Sequence, residues 1–479
     1  MTKREKLEEA MNEISDKHLS EAVTPRKKHT LRWVSAIAAV LAIVIAVNLL
    51  GQPMILRAQA VAVASESRAA KRPDYQYYDL FKTQEEYRIA LDLYLAQQNT
   101  RSIHTDTVTQ TAADFFKESS QLILESADGG NRVWSPINGY IALSMLAELT
   151  DGNTRQQLLD LLNTPDTNAL RAQVSAVWEN VYTDNGKEIS TLSNSVWLDK
   201  ELSYSQQAMD DLAHHYYASV YQGDLGSKAI NKDLQAWLNK NTGNLLTQQA
   251  GGIQLDPLTV FTLASTVYLQ SKWSDDFSKS NNTTEPFHTP NGDVSCTFMN
   301  KKEHETYYYW GDSFGAVSLG LKNGCTMWFF LPDADKSVDD VLAEGQYLDT
   351  VAAPYQEDRN AKYMKVNLSV PKFDVSYSAD LTDSLKTMGV TEVFDASAAD
   401  FSPAFSEDPA IPVWVSGVEQ AARVAIDEEG VVAASYVVII GAGAAPPPEE
   451  IIDFILDRPF VFVIAKDNLP LFTGIVNNP

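Results

Sequence analysis

Residues 428–448, EEGVVAASYVVIIGAGAAPPP, set the tightest limit on what this 479-residue chain can fold into. After its two acidic residues the stretch carries no charge from Val431 to Pro448, and small residues give way to β-branched aliphatics and then to Gly, Ala and Pro. The run Val437-Val438-Ile439-Ile440 has the stiff χ1 preferences of a strand. Gly441, Gly443 and three successive prolines instead suit an extended, exposed loop, because proline cannot donate to a ladder. An uncharged, β-prone segment left exposed invites aggregation, and surfaces usually interrupt such runs with a charge. This one is uninterrupted.

A segment that is loop in one state and strand in another reconciles the two halves. Side chains in a strand alternate faces, so one face would carry Val431, Ala433, Ser435, Val437, Ile439 and Gly441, and the other Val432, Ala434, Tyr436, Val438 and Ile440. Burying only Val431, Val437 and Ile439 would contribute about 5–9 kcal/mol. A whole domain is stable by about 5–15 kcal/mol, so insertion of this segment rivals the stability of the fold that holds it. The alternative is an ordinary buried strand followed by a Pro-rich turn.

Other segments decide between the two. Trp134-Ser135-Pro136-Ile137-Asn138 opens a helical pattern, and Ser135 with Pro136 at the first helical position is a sound helix start. Ile230-Asn231, Trp237 and Thr242-Gly243 lie ahead of residues 260–273, VFTLASTVYLQSKW, which read as a long buried strand. Phe277, Glu285-Pro286-Phe287, Phe329-Phe330-Leu331-Pro332-Asp333 and Pro371-Lys372-Phe373 follow. The chain ends with Arg458-Pro459-Phe460-Val461-Phe462 and Leu471-Phe472-Thr473-Gly474. Together with Ile426-Asp427-Glu428-Glu429-Gly430, these colinear motifs resemble the serpin family over residues 110–479.

The resemblance implies an α+β fold: a large central antiparallel-rich sheet, further sheets, surrounding helices and an exposed reactive-centre loop. It implies a suicide-type inhibitor of serine proteases, in which the cleaved loop inserts into the central sheet and traps the acyl-enzyme. The loop hinge would be Glu428, Glu429, Gly430, Val431, Val432, Ala433, Ala434 and Ser435, small or apolar after Gly430 so that it can enter the sheet. Counting forward from the hinge puts the reactive bond at Ala444-Ala445; counting back from Pro459 puts it near Pro448-Glu449, and the forward count is preferred because Pro at and beyond the bond makes a poor protease substrate. A small residue there suits serine proteases with a small specificity pocket, elastase-like or subtilisin-like. Trp273, Lys372 and Glu428 match the breach, where the loop first enters, with Lys372 and Glu428 as an ion pair. Ser135, Asn138, Ser265 and Gln420 stand at the shutter. Many relatives carry Asn and His where this chain has Ser265 and Gln420, so a Ser–Gln–Asn hydrogen-bond set would hold the strands here. A non-inhibitory serpin, acting as a surface binding or chaperone module, is the other reading.

Charge and composition exclude several classes. A net charge of −25 argues against nucleic-acid partners, which would need a basic patch. Two cysteines, Cys296 and Cys325, are too few for a disulfide framework or a zinc site. No cofactor or metal is expected. The stretch Gly311-Asp312-Ser313-Phe314-Gly315 fits the G-x-S-x-G nucleophile elbow, but that motif needs a helix after it and a histidine downstream. A strand pattern follows instead, and the last histidine is His304, so a hydrolase is not expected. The adjacent His214-His215 point to different sides of a helix and make no metal pair.

Residues 1–32 are charged and helix-prone, as in a cytoplasmic tail. Residues 33–50, WVSAIAAVLAIVIAVNLL, carry no charge and are long enough to span a membrane. Arg26, Lys27, Lys28 and Arg32 precede the run and only Arg57 follows it closely, which places the remainder outside. The small-x-small triplet Ala58-Gln59-Ala60 supports the alternative of secretion after cleavage near Ala60. Either route exports the chain and suits a bacterial cell surface. Residues 51–109 read as a spacer containing a helix at 81–98, where Tyr87, Leu91, Tyr94 and Leu95 share a face. Residues 110–479 read as one domain, expected to be monomeric.

Overall fold

The computed structural model describes residues 61–62, 107–125, 129–184, 189–352, 360–431 and 449–479. The proposed tail, membrane segment and 81–98 helix, and hinge residues Val432, Ala433, Ala434 and Ser435 with the bond Ala444-Ala445, lie outside them. No helix among the described residues is long and apolar enough to cross a membrane.

Two sheets organise the described chain. Across its width the first runs β1 (Val61–Ala62), β5 (Ala218–Gly223), β4 (Ile189–Asp199), β6 (Phe261–Lys272), β14 (Gly430–Val431), β13 (Glu419–Ile426) and β12 (Phe373–Asp380), with β3 (Thr183–Asp184) paired on β4. Only β4 and β5 run parallel. The second sheet runs β15 (Ile451–Ile455), β11 (Ala361–Pro371), β8 (Gly292–Trp310), β9 (Phe314–Gly320), β10 (Cys325–Pro332), β16 (Phe460–Lys466), β17 (Leu469–Val476) and β2 (Arg132–Trp134), with β7 (Thr283–Thr289) on β8.

Each sheet reflects its sequence. Every residue of β17 and all but the last of β16 are buried, as expected of apolar runs covered on both faces. Strand β13 alternates instead, burying Ala422, Val424 and Ile426 while Arg423 turns out to pair with Asp374 on β12. Within residues 260–273, Phe261–Lys272 do form a strand, but a half-covered one: of β6, only Thr266, Leu269 and Ser271 are buried. The reason lies in its neighbour. Among the described residues β6 is joined to β13 only through the two residues of β14, and no ladder links β6 and β13 directly below them.

The helix Pro136–Glu148 packs behind β6 and β17 and is buried almost throughout. It starts at the position expected, with Ser135 extended before Pro136, yet the Ser135 hydroxyl makes no cap bond. It donates to the Leu471 carbonyl at 2.6 Å and so ties the helix start to β17. Ser313 is fully buried and donates to Glu344, with strand β9 rather than a helix after it. Cys296 and Cys325 are both free thiols. Burial in the core pushes the Cys325 thiol up to about 12.

Candidate functional site

The site is the upper end of the first sheet, where the chain leaves β13, reverses and enters the space beside β6. Asp427 makes that reversal. Its Oδ1 accepts from the Glu429 amide at 2.8 Å and the Gly430 amide at 3.2 Å, while its own amide donates to the Gly430 carbonyl at 2.9 Å. An Asp side chain bonded two residues ahead mimics a backbone turn. The result sets Val431 opposite Ile426 on one side and Ser271 on the other.

Gly430 is required by close approach. A Cβ there would stand 2.0 Å from the Ser271 carbonyl oxygen and 2.5 Å from Lys272 Cα, both backbone atoms that cannot swing away. Val431 next to it is 5% exposed. The third and fourth residues of the proposed hinge, Gly430 and Val431, are thus already seated in the sheet.

Three backbone carbonyls of the turn are fixed from the β6 side. Trp273 Nε1 donates to the Asp427 carbonyl at 2.8 Å, and the Trp273 amide to the Glu429 carbonyl at 3.1 Å. The Phe277 amide donates to the Glu428 carbonyl at 3.1 Å. The Trp273 and Phe277 rings pack edge to face at 5.7 Å, both buried.

Of the three residues grouped in the sequence, Lys372 and Glu428 pair directly, and Trp273 holds the carbonyls on either side of Glu428. The Glu428 side chain is 4% exposed and pairs with Lys372, so this is no surface ion pair of small effect. Burial would raise its pKa, but hydrogen bonds from Lys372 and Asn282 outweigh that and hold the carboxyl at about 2. Glu429, by contrast, lies in solvent between Lys272 at 3.0 Å and Lys279 at 3.7 Å.

The lower cluster differs from the expected Ser–Gln–Asn set. Asn138 Nδ2 donates to the Ser265 carbonyl at 3.1 Å, and Ser265 Oγ lies 2.5 Å from Asn138 Oδ1. The third member is Asn194 of β4, whose Oδ1 is 2.7 Å from the same hydroxyl. One hydroxyl proton serves two carbonyl oxygens, so it bonds only one at a time. Gln420 is elsewhere: its Nε2 donates to the Val133 carbonyl of β2 at 3.1 Å. Strand β13 faces β2 at that level, and the amide nitrogen finds its acceptor across the two sheets while the buried Oε1 makes no hydrogen bond.

Sequence reasoning missed Asp427, Asn282 and Asn194 as members of the site. An Asp three residues before Gly430 is a turn signal and was there to be found. The other two depend on which strands lie side by side, which local pattern does not encode.

Among the described residues, a two-residue strand, Gly430–Val431, is all that joins β6 to β13. A family model of the serpins, the serine protease inhibitors, matches residues 106–479, and the chain belongs to that family. Serpin-ZX of Arabidopsis thaliana is 27% identical over 378 residues, covering 75% of this chain and 95% of that protein. The native state of tengpin, a thermophilic serpin, superposes with a TM-score of 0.68 at 22% identity, covering 88% of this chain and all of that one. An Arabidopsis serpin in its native stressed conformation gives 0.64 at 25% identity, over 79% and 98%.

Proposed function

We propose that this serpin inhibits serine proteases by strand insertion. The target's serine Oγ attacks the Ala444 carbonyl, the bond to Ala445 breaks, and residue 445 leaves as a new N-terminus. The hinge side is then tethered to the protease through an ester. Residues 432 onward follow Val431 between β6 and β13, carrying the enzyme away before water cleaves that ester.

The observation that supports this reading is the seat of Val431 between two strands that have no other ladder in common among the described residues. Its register can be continued residue by residue. Ala433 would then lie between Leu269 and Val424, Ser435 between Val267 and Ala422, and Val437 between Ser265 and Gln420. In that register these odd-numbered residues would share the core-facing side of Val431, Leu269 and Val424, and they are the small or apolar set. The even-numbered residues would face the other side, with Ala434 beside Tyr268 and Arg423.

A small residue at 444 favours elastase-like or subtilisin-like targets. Residues 33–50 serve as a membrane anchor or an export signal that places the inhibitor outside the cell. The test is incubation with a panel of elastase-, subtilisin- and trypsin-like proteases. A band at the summed mass that survives denaturant is expected with the first two groups. Clean cleavage by every protease, with no such band, would refute inhibition.

A further inference from the structure

The turn that receives the hinge is itself held by one buried cation. Residues 274–277 belong to no strand or helix, so their carbonyls have no ladder partners. Lys301 on β8 supplies a donor to two of them, the Asp275 and Asp276 carbonyls. It is 9% exposed, and its ammonium donates to the Asp275 carbonyl at 2.7 Å, Asp275 Oδ2 at 2.5 Å and the Asp276 carbonyl at 3.1 Å. The same nitrogen lies 4.7 Å from the centre of the Phe277 ring. Three donors meet three acceptors, which is what allows a charge to be buried there.

The other charged groups at this turn stand further off. Lys322 approaches Asp276 at 3.6 Å, and His304 Nδ1 lies 3.8 Å from Asp275 Oδ2. The Asp275 side chain is 70% exposed, so the two backbone carbonyls and the ring form the buried part of the Lys301 site. What the turn offers in return is the Phe277 amide, bonded to the Glu428 carbonyl, just after the Trp273 amide bonded to Glu429.

We propose that Lys301 is a positioning residue for the hinge. Its ammonium fixes residues 274–277, and through the Phe277 amide it keeps the Glu428 turn, and so Gly430 and Val431, seated in the sheet. This rests on the insertion mechanism proposed above and adds a control point to it. A change at Lys301 acts on the hinge through the turn, without altering any residue of the loop or of the Lys372–Glu428 pair.

Hydrogen exchange on the full-length, uncleaved protein tests this without a protease. Lys301→Met keeps the apolar stem and removes the donors; Val174→Ala, a remote core change, controls for general loss of stability. Exchange at 271–277 and 428–431 should quicken about tenfold or more in Lys301→Met and not in Val174→Ala. Should the Met variant not fold, Asp275→Asn should give a smaller rise confined to the same two segments. Wild-type exchange at 428–431, or an equal rise in Val174→Ala, overturns the proposal. In the protease assay, Lys301→Met should form less complex and more cleaved inhibitor than wild type. If the wild type traps no protease, the inhibitory reading fails, and exchange at 428–431 still decides the role of Lys301.

Discussion

Glu428 keeps its charge in a site closed to water, and this gives the hinge a defined response to acid. Its carboxyl titrates at about 2 in the fold against an ordinary value of 4.5. A lowered folded value means that the ionised form is the better bound, so its contribution is complete above about 4.5 and is lost as pH falls from there toward about 2. Glu428→Gln removes that contribution at every pH. The difference in Tm between wild type and Glu428→Gln should therefore be large near pH ~7 and shrink near pH ~3. A difference that stays constant would show that the carboxylate is not what holds the turn. Val431 makes the complementary case for an apolar side chain. Replacing it with Arg would put an unpaired cation where a valine is now 5% exposed. The uncleaved protein should lose roughly 1.5–3 kcal/mol from the lost valine burial alone. The variant should also be cleaved as a substrate without trapping; a stable complex at normal stoichiometry would rule out insertion at this residue.

The strands beside the hinge show what the sequence could and could not disclose. β16 and β17 were legible because their apolar runs are buried on both faces and need no knowledge of a partner. The Lys372–Glu428 pair and the nearby Trp273 were legible through motif resemblance, since each residue sits in a recognisable local string. The half-covered state of β6 was not, because strand composition says nothing about whether a neighbour is present. Gln420 was misplaced for a related reason. An amide on β13 can turn toward β6 or toward β2, and only the packing of one sheet on the other decides. The alternation of β13 supplies a sharper rule for the hinge than a general need for uncharged residues. With the register continued, Ala433→Asp would bury a carboxylate between Leu269 and Val424, 5% and 4% exposed. Ala434→Asp would face Arg423, which is already engaged with Asp374 at the solvent side. Ala433→Asp should abolish the denaturant-stable complex and Ala434→Asp should largely retain it. Equal loss in both would mean that the strand enters in another register, since a one-residue slip exchanges the two faces.

At the scale of the whole molecule, the insertion mechanism proposed above requires an uncleaved fold that has not yet reached its most stable pairing. β6 has partners along its length on the β4 side, whereas on the β13 side it meets only Gly430 and Val431 among the described residues. Every further residue that enters would add ladder bonds of roughly 0.5–1.5 kcal/mol net to groups now lacking a strand partner. Val437 and Ile439 would together contribute about 3–6 kcal/mol by burial. Before cleavage the loop is tied at both ends, to β14 and to β15, and the second tie limits how far it can follow. Cutting it between Gly443 and Glu449 removes that restraint without changing any side chain. Nicked protein, with both fragments still associated, should therefore melt higher than intact protein, by a shift on the order of 10 °C. Calorimetry before and after limited elastase treatment measures this directly, with Val431→Arg as the control that can be nicked but cannot insert. An unchanged Tm in the nicked wild type would mean that the slot beside β6 holds no reserve of stability, and that the fold cannot drive the trap.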